Sequence, residues 1–75
     1  MKILITGGCG FVGSNIAIYL KKKYKNAQIS SVDNLIRKGS KLNRNRLNRF
    51  KIKNYNLNIE QYSKLKNLPK FNLVI

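Results

Sequence analysis

The chain has 75 residues, which is enough for one small domain and too short for a doubly wound sheet together with a substrate domain. It carries 16 lysines and arginines against 2 acidic residues, a formal net charge of +14, with one cysteine and no histidine. An internal disulfide is therefore excluded, and a structural zinc site is not expected. The apolar run near the N-terminus is too short for a signal-peptide core or a membrane span, so we expect a reducing, cytoplasmic setting.

The strong positive charge favours an anionic partner such as nucleic acid or a membrane surface. The basic residues are, however, spread along the sequence, and they lack the interleaved aromatic residues of a nucleic-acid stacking platform. We therefore interpret the charge as compositional, with no specific nucleic-acid partner and no membrane partner. A small basic nucleic-acid-binding module remains the alternative.

The first part of the chain has the order strand, glycine turn, helix. Three consecutive apolar residues within 2–6 predict a strand that is covered on both faces, as in a parallel sheet. Gly7, Gly10 and Gly13 follow, and the apolar periodicity of residues 12–25 predicts a helix. Such a turn lets the backbone approach a dinucleotide pyrophosphate closely, and the free N–H groups at the helix start attract its charge.

The rest of the chain continues the alternation of strands and helices. A second strand is predicted over 28–33, a loop over 34–40, at best a weak helix over 41–49 and a third strand over 50–56. A helix over about 59–68 and a fourth strand over 71–75 complete the chain. This order predicts an α/β fold, a partial Rossmann fold with a parallel sheet of about four strands and flanking helices. We interpret residues 1–75 as the incomplete N-terminal portion of a dinucleotide-binding domain.

Asp33 ends the second predicted strand about 20 residues after the last glycine of the turn. Dinucleotide-binding folds place at this position the carboxylate that binds the ribose hydroxyls. The alternative is that Asp33 only caps a turn before Asn34. Because a carboxylate here would repel a 2′-phosphate, NAD is favoured over NADP. Arg37 and Lys38 follow closely and keep NADP as the minority alternative.

The run Thr-Gly-Gly-Cys-Gly-Phe-Val-Gly at 6–13 resembles a motif of the extended short-chain dehydrogenase/reductases, the NAD-dependent epimerase/dehydratase family of nucleotide sugars. Residues 32–35, Val-Asp-Asn-Leu, resemble the end of that family's second strand. Residues 37–40, Arg-Lys-Gly-Ser, resemble the CDP-paratose 2-epimerase (CDP-tyvelose epimerase) branch. The resemblance implies an isomerase of nucleotide-sugar metabolism that uses NAD, takes a nucleotide-sugar substrate and is often homo-oligomeric at full length.

The resemblance also implies a set of cofactor-binding residues. The turn and helix start would contact the pyrophosphate, the end of the second strand the ribose, and the segments after the second and third strands the adenosine. Asn56 stands where the family commonly has an aspartate that meets the adenine. The implied residues are Gly7, Gly10, Phe11, Val12, Gly13, Asp33, Asn34, Arg37, Gly39, Ser40, Asn56 and Leu57.

The resemblance implies catalysis by proton and hydride transfer that involves a Tyr-x-x-x-Lys pair, whose lysine lowers the tyrosine pKa. Two such spacings occur here, Tyr19 with Lys23 and Tyr62 with Lys66, and we interpret both as chance. The family's pair lies on a later helix, beyond residue 75. We therefore expect no catalytic residue in this chain and no catalytic competence of the chain alone, and an inactive truncated fragment is a further alternative. Cys9 is interpreted as a small side chain in a crowded turn.

Overall fold

The computed structural model of the chain describes residues 1–58, 60, 64 and 66–75. Its elements are four strands and two helices among the described residues: β1 (Lys2–Thr6), α1 (Phe11–Lys23), β2 (Gln28–Val32), α2 (Ser40–Arg49), β3 (Lys53–Tyr55) and β4 (Leu73–Val74). The four strands form one sheet in the order β3-β2-β1-β4. Every neighbouring pair is parallel, which confirms the predicted α/β architecture.

The sheet is built outward from β1, whose apolar residues are almost fully buried. Ile3 pairs with Ile29 of β2 on one side and with Leu73 of β4 on the other. A continuous apolar run suits this central position, because a parallel strand is covered on both faces. The strand order reverses between β1 and β4, since β2 and β3 lie on one side of β1 and β4 on the other. Parallel α/β folds bind ligands beyond the carboxyl ends of the strands at such a point.

The two helices lie side by side on one face of the sheet and enclose the hydrophobic core. Leu47 of α2 and Ile52 after it are fully buried in this core, although they flank a very polar segment. The buried cluster comprises Ile3, Ile5, Cys9, Ala17, Ile18, Ala27, Ile29, Leu35, Leu47 and Ile52.

The segment predicted to be weakly helical forms the ten-residue helix α2. Its low intrinsic propensity is overcome by contacts that the apolar pattern does not show. Ser40, Asn43 and Arg46 follow one another at helical spacing. Ser40 donates to the carbonyl of Arg37 in the preceding loop. Asn43 donates to the glycine turn and Arg46 to the Ser14 hydroxyl of α1. Tertiary packing outweighs propensity here, as it commonly does for short helices.

Several boundaries differ from the predicted ones. β3 begins at Lys53 instead of residue 50, because Phe50 and Lys51 bond back to the last turn of α2. Lys51 adopts a φ of 59°, so the chain reverses there before the strand starts. Most of the helix predicted over about 59–68 lies outside the described residues. Within the described residues, Asn58 accepts a hydrogen bond from the backbone N–H of Glu60 at 3.5 Å.

Candidate functional site

The glycine turn runs across the carboxyl ends of β1 and β2. The Gly7 N–H donates to the carbonyl of Val32 at 2.8 Å, and the Gly10 N–H donates to the carbonyl of Gly7 at 3.0 Å. Gly7 has a φ of 65°, a conformation that costs a residue with a Cβ about 1–2 kcal/mol. The turn is thus tied to both central strands before α1 begins.

Two further glycines are required by close approach of other atoms. A Cβ on Gly13 would lie 2.3 Å from the carbonyl oxygen of Gly7, so α1 packs directly on the turn. A Cβ on Gly8 would lie 2.3 Å from Oγ of Ser31, so the turn packs directly on β2. Because Gly13 meets backbone atoms, a side chain there requires the turn itself to move.

The start of α1 offers unpaired donors to a ligand. Gly10 is its N-cap in an extended conformation, and no acidic residue stands in its first turn. No side chain among the described residues caps the helix. The first N–H groups of a helix have no partner within it, and together with the helix dipole they attract anions. Phe11 and Val12, which begin the helix, are 80% and 66% exposed. Within the part of the chain that the structure describes, no residue covers these two side chains.

Asp33 lies beside the turn and holds two backbone donors. One carboxylate oxygen accepts from the Cys9 N–H at 3.1 Å, and the other accepts from the Leu35 N–H at 2.8 Å. The second bond is the turn-capping role that the sequence left as the alternative, and the first ties β2 to the glycine turn. Each carboxylate oxygen accepts more than one hydrogen bond, so these contacts leave acceptor capacity for a ligand.

Two adjoining depressions lie on either side of the glycine turn. The first has a volume of about 350 Å³ and reaches toward the end of β3. The second has a volume of about 400 Å³ and extends along the start of α1. Thr6, Gly7, Gly10 and Arg37 line both depressions, so together they form one groove across the carboxyl edge of the sheet.

Most of the predicted cofactor-binding residues line this groove. They are Gly7, Gly10, Phe11, Val12, Gly13, Asp33, Asn34, Arg37 and Leu57. The other three do not line it. Gly39 is the N-cap of α2 with a φ of 85°, Ser40 is buried and donates to the carbonyl of Arg37 at 2.7 Å, and Asn56 is exposed. Gly39 and Ser40 thus shape the loop that carries Arg37.

The sequence pattern that defines the NAD dependent epimerase/dehydratase family matches residues 3–74, nearly the whole chain. The chain belongs to this family.

Two relatives match about half of the chain in sequence. The chain is 65% identical over 34 residues to a dTDP-D-glucose 4,6-dehydratase from Dictyostelium discoideum, covering 45% of the chain and 8% of the relative. It is 50% identical over 40 residues to a CDP-paratose 2-epimerase from Salmonella typhi, covering 53% of the chain and 11% of the relative.

Two solved epimerases share the fold. A UDP-glucuronic acid 4-epimerase variant from Bacillus cereus, in complex with a UDP-sugar and NAD, superposes with a TM-score of 0.82 and 25% identity over 99% of this chain and 25% of its own. An ADP-L-glycero-D-manno-heptose-6-epimerase from Helicobacter pylori superposes with a TM-score of 0.81 and 30% sequence identity, covering 97% of this chain and 24% of its own. The chain therefore spans about a quarter of the length of these structures.

Residues that the sequence did not single out hold the epimerase/dehydratase turn in place. Asn43 of α2 donates to the carbonyl of Cys9 at 2.9 Å. Asn54 of β3 donates to the carbonyl of Asp33 at 3.2 Å and accepts from the Ser31 hydroxyl at 2.8 Å. The available signal was the spacing of Asn43, three residues after Ser40 on one helix face. This spacing was hard to interpret because the contacts that these side chains make are polar, whereas a buried helix face is identified from its apolar periodicity.

Cys9 is fully buried beneath the turn, with its Sγ 3.9 Å from Oγ of Ser31. Burial raises the pKa of its thiol; the hydrogen bond with Ser31 acts in the opposite direction and the Asp33 carboxylate adds to the rise. A buried neutral thiol is a poor nucleophile. These features agree with a small side chain that fills a crowded position.

The chance Tyr-x-x-x-Lys spacing at Tyr19 lies on the outer side of α1, with Lys23 Nζ 5.8 Å from the ring centroid. Tyr19 lines neither depression of the groove. Tyr62 lies outside the described residues. Among the residues that the structure describes, no group of acidic or cysteine side chains is arranged to hold a metal ion, and no helix is long and apolar enough to cross a membrane.

Proposed function

We propose that this chain is the NAD-binding N-terminal segment of a nucleotide-sugar epimerase similar to CDP-paratose 2-epimerase. The single observation that carries the proposal is the groove, in which an uncapped helix start and a carboxylate flank one glycine turn. The match to the Salmonella typhi CDP-paratose 2-epimerase and the Arg-Lys-Gly-Ser run at 37–40 favour this branch.

The groove suits the chemistry of a dinucleotide. The N–H groups of Phe11 and Val12 would donate to the pyrophosphate, and Gly13 lets the helix approach the turn closely enough for that. Asp33 would accept hydrogen bonds from the ribose hydroxyls, while its bonds to Cys9 and Leu35 fix its orientation. When bound, the nicotinamide supplies hydride transfer. The residues of this chain bind and orient the cofactor.

The catalytic Tyr-x-x-x-Lys pair is proposed to lie outside residues 1–75, on a later part of the enzyme. The chain aligns with about a quarter of the solved epimerases, which leaves most of such an enzyme unrepresented here. The chain incubated with NAD and a CDP-sugar is therefore expected to leave the sugar unchanged. Conversion of the sugar, followed by NMR, would refute this part of the proposal.

Isothermal titration of the whole chain with NAD and NADP tests the binding role. Binding of NAD with a weaker response to NADP is expected, because the Asp33 carboxylate repels a 2′-phosphate. Asp33→Asn should weaken NAD binding and narrow the difference between the cofactors. Glu60→Gln removes the other acidic side chain of the chain, which does not line the groove. This variant should change neither the NAD affinity nor the difference in affinity between NAD and NADP.

The melting temperature of each variant without cofactor separates the two roles of Asp33. Asparagine keeps one oxygen acceptor, so loss of one of the two turn-holding bonds lowers the melting temperature. Loss of the ribose contact instead lowers NAD affinity in a protein that is still folded. If folded Asp33→Asn binds NAD as tightly as the parent chain, the proposed ribose contact is wrong. If the folded parent shows no response to NAD, the binding function itself is wrong.

A further inference from the structure

The fold gathers at one edge of the sheet cations that are scattered along the sequence. In parallel βα units the strands begin and the helices end at the same edge, here called the amino edge. Basic residues stand at the ends of both helices and before or at the starts of the strands. They are Lys2, Lys21, Lys22, Lys23, Lys25, Arg49, Lys51, Lys53 and Lys70.

The two acidic residues of the chain lie away from this edge. Asp33 follows the carboxyl end of β2, and Glu60 lies in the connection that leaves the carboxyl end of β3. The protein is thus electrostatically polarised, with acids only toward the groove side of the sheet. An unbalanced field of this kind attracts polyanions and is strongest where cations converge.

Aromatic rings interleave with these cations once the chain is folded. Tyr19 and Tyr24 are 59% and 51% exposed, and Nζ of Lys23 lies 5.8 and 5.5 Å from their ring centroids. Nζ of Lys22 lies 5.3 Å from the ring of Phe50, the C-cap of α2. The two tyrosine contacts form within α1 and its C-terminal cap, and the packing of α1 against α2 adds the ring of Phe50.

We propose that the amino-edge surface, formed by the basic residues above with Tyr19, Tyr24 and Phe50, binds single-stranded nucleic acid without sequence preference. The lysines would contact phosphates, and the tyrosine rings would stack on bases. Beside Tyr24 a largely apolar depression of about 670 Å³, which Leu20 and Lys25 also line, provides room for an unstacked base. Single strands are favoured over duplexes because only their bases expose faces to a protein ring.

The lysines and tyrosines of this site lie at the edge of the sheet opposite the dinucleotide groove, and none of them lines the groove. Fluorescence anisotropy of a labelled oligo(dT) of about 15 nucleotides, titrated with the whole chain between about 50 and 200 mM salt, measures it. Lys23→Gln/Lys25→Gln should weaken binding and reduce the slope of log K against log salt by about 1.4, since each lost phosphate contact contributes about 0.7. NAD binding should be unchanged in this variant.

Lys38→Gln/Lys41→Gln is the matched control, because it removes the same charge from exposed positions near the carboxyl edge. It should reduce the affinity and the slope much less. Equal effects of the two variants would mean that only net charge matters and would overturn the localised site.

Tyr19→Leu/Tyr24→Leu tests stacking, and it should weaken oligonucleotide binding about tenfold or more while leaving binding of inorganic polyphosphate unchanged. Equal losses for both polyanions, or none for either, would refute a role of the rings. Sedimentation with vesicles containing anionic lipid distinguishes a membrane surface. Binding to vesicles at the same salt without binding to the oligonucleotide would overturn the proposal in favour of a lipid partner.

Discussion

Replacing Gly13 by alanine should destabilise the chain and abolish most NAD binding. The added Cβ would lie 2.3 Å from the Gly7 oxygen, 2.9 Å from the Gly7 carbonyl carbon and 3.0 Å from the Gly8 Cα. All three are backbone atoms, so the turn must shift by about 1 Å to restore ordinary contact distances. Overpacking of this kind costs about 1–3 kcal/mol, occasionally more, and the better helix propensity of alanine offsets about 1 kcal/mol.

The net loss of up to about 2 kcal/mol corresponds to a melting temperature that is lower by up to roughly 15 °C for a domain of this size. Circular dichroism melts of the parent and the variant measure it, and calorimetric titration with NAD measures the loss of binding. Gly10→Ala is the matched control for the melts alone, because its Cβ would lie 3.3 Å from the Gly7 oxygen and the residue has a φ of −75°. A Gly13→Ala variant as stable as the parent, with unchanged NAD affinity, would refute the close-packing argument.

Three further outcomes follow from single contacts. Asn43→Ala leaves the Cys9 carbonyl without its donor and should cost about 1–2 kcal/mol in urea unfolding, whereas Asn45→Ala, at an exposed position, should cost little. Lys51→Gly relieves the positive φ and should raise the unfolding free energy by about 0.5–1 kcal/mol, and a decrease would contradict the strain. Burial raises the pKa of the Cys9 thiol. The neutral thiol therefore contributes fully to the unfolding free energy below the unfolded-state pKa of about 8.5, and this contribution is lost as the pH rises through the folded-state pKa. Stability from pH 7 to 10 should therefore fall less steeply in Cys9→Ala than in the parent.

The architecture was predictable wherever a physical signal was local. The apolar run of β1, the glycines and the periodicity of α1 each identify an element from neighbouring residues, and the structure confirms all three. The family motif at residues 6–13 likewise coincides with the turn. Residues whose role depends on distant partners were harder to interpret. α2 was underestimated because its stabilising contacts join Asn43 and Arg46 to another helix and the turn.

In the candidate site too, residues placed by local signals were predicted and residues placed by distant partners were not. Nine of its predicted residues line the groove, because turn chemistry and strand ends determine their place. Asn54 was missed, since its role appears only when β3 pairs with β2 and brings it to Ser31 and Asp33. The amino-edge cations were interpreted as dispersed for a related reason. Their proximity arises from the parallel topology, which sequence spacing does not display.

The double attachment of Asp33 limits how the cofactor preference of this fold can be re-engineered. Removing the carboxylate to admit a 2′-phosphate also removes the acceptors of the Cys9 and Leu35 N–H groups. A single substitution that admits NADP therefore also weakens the hydrogen bonds that hold the turn. Retaining an oxygen acceptor, as serine or asparagine does, and using the cation already present at Arg37 would be the gentler design route.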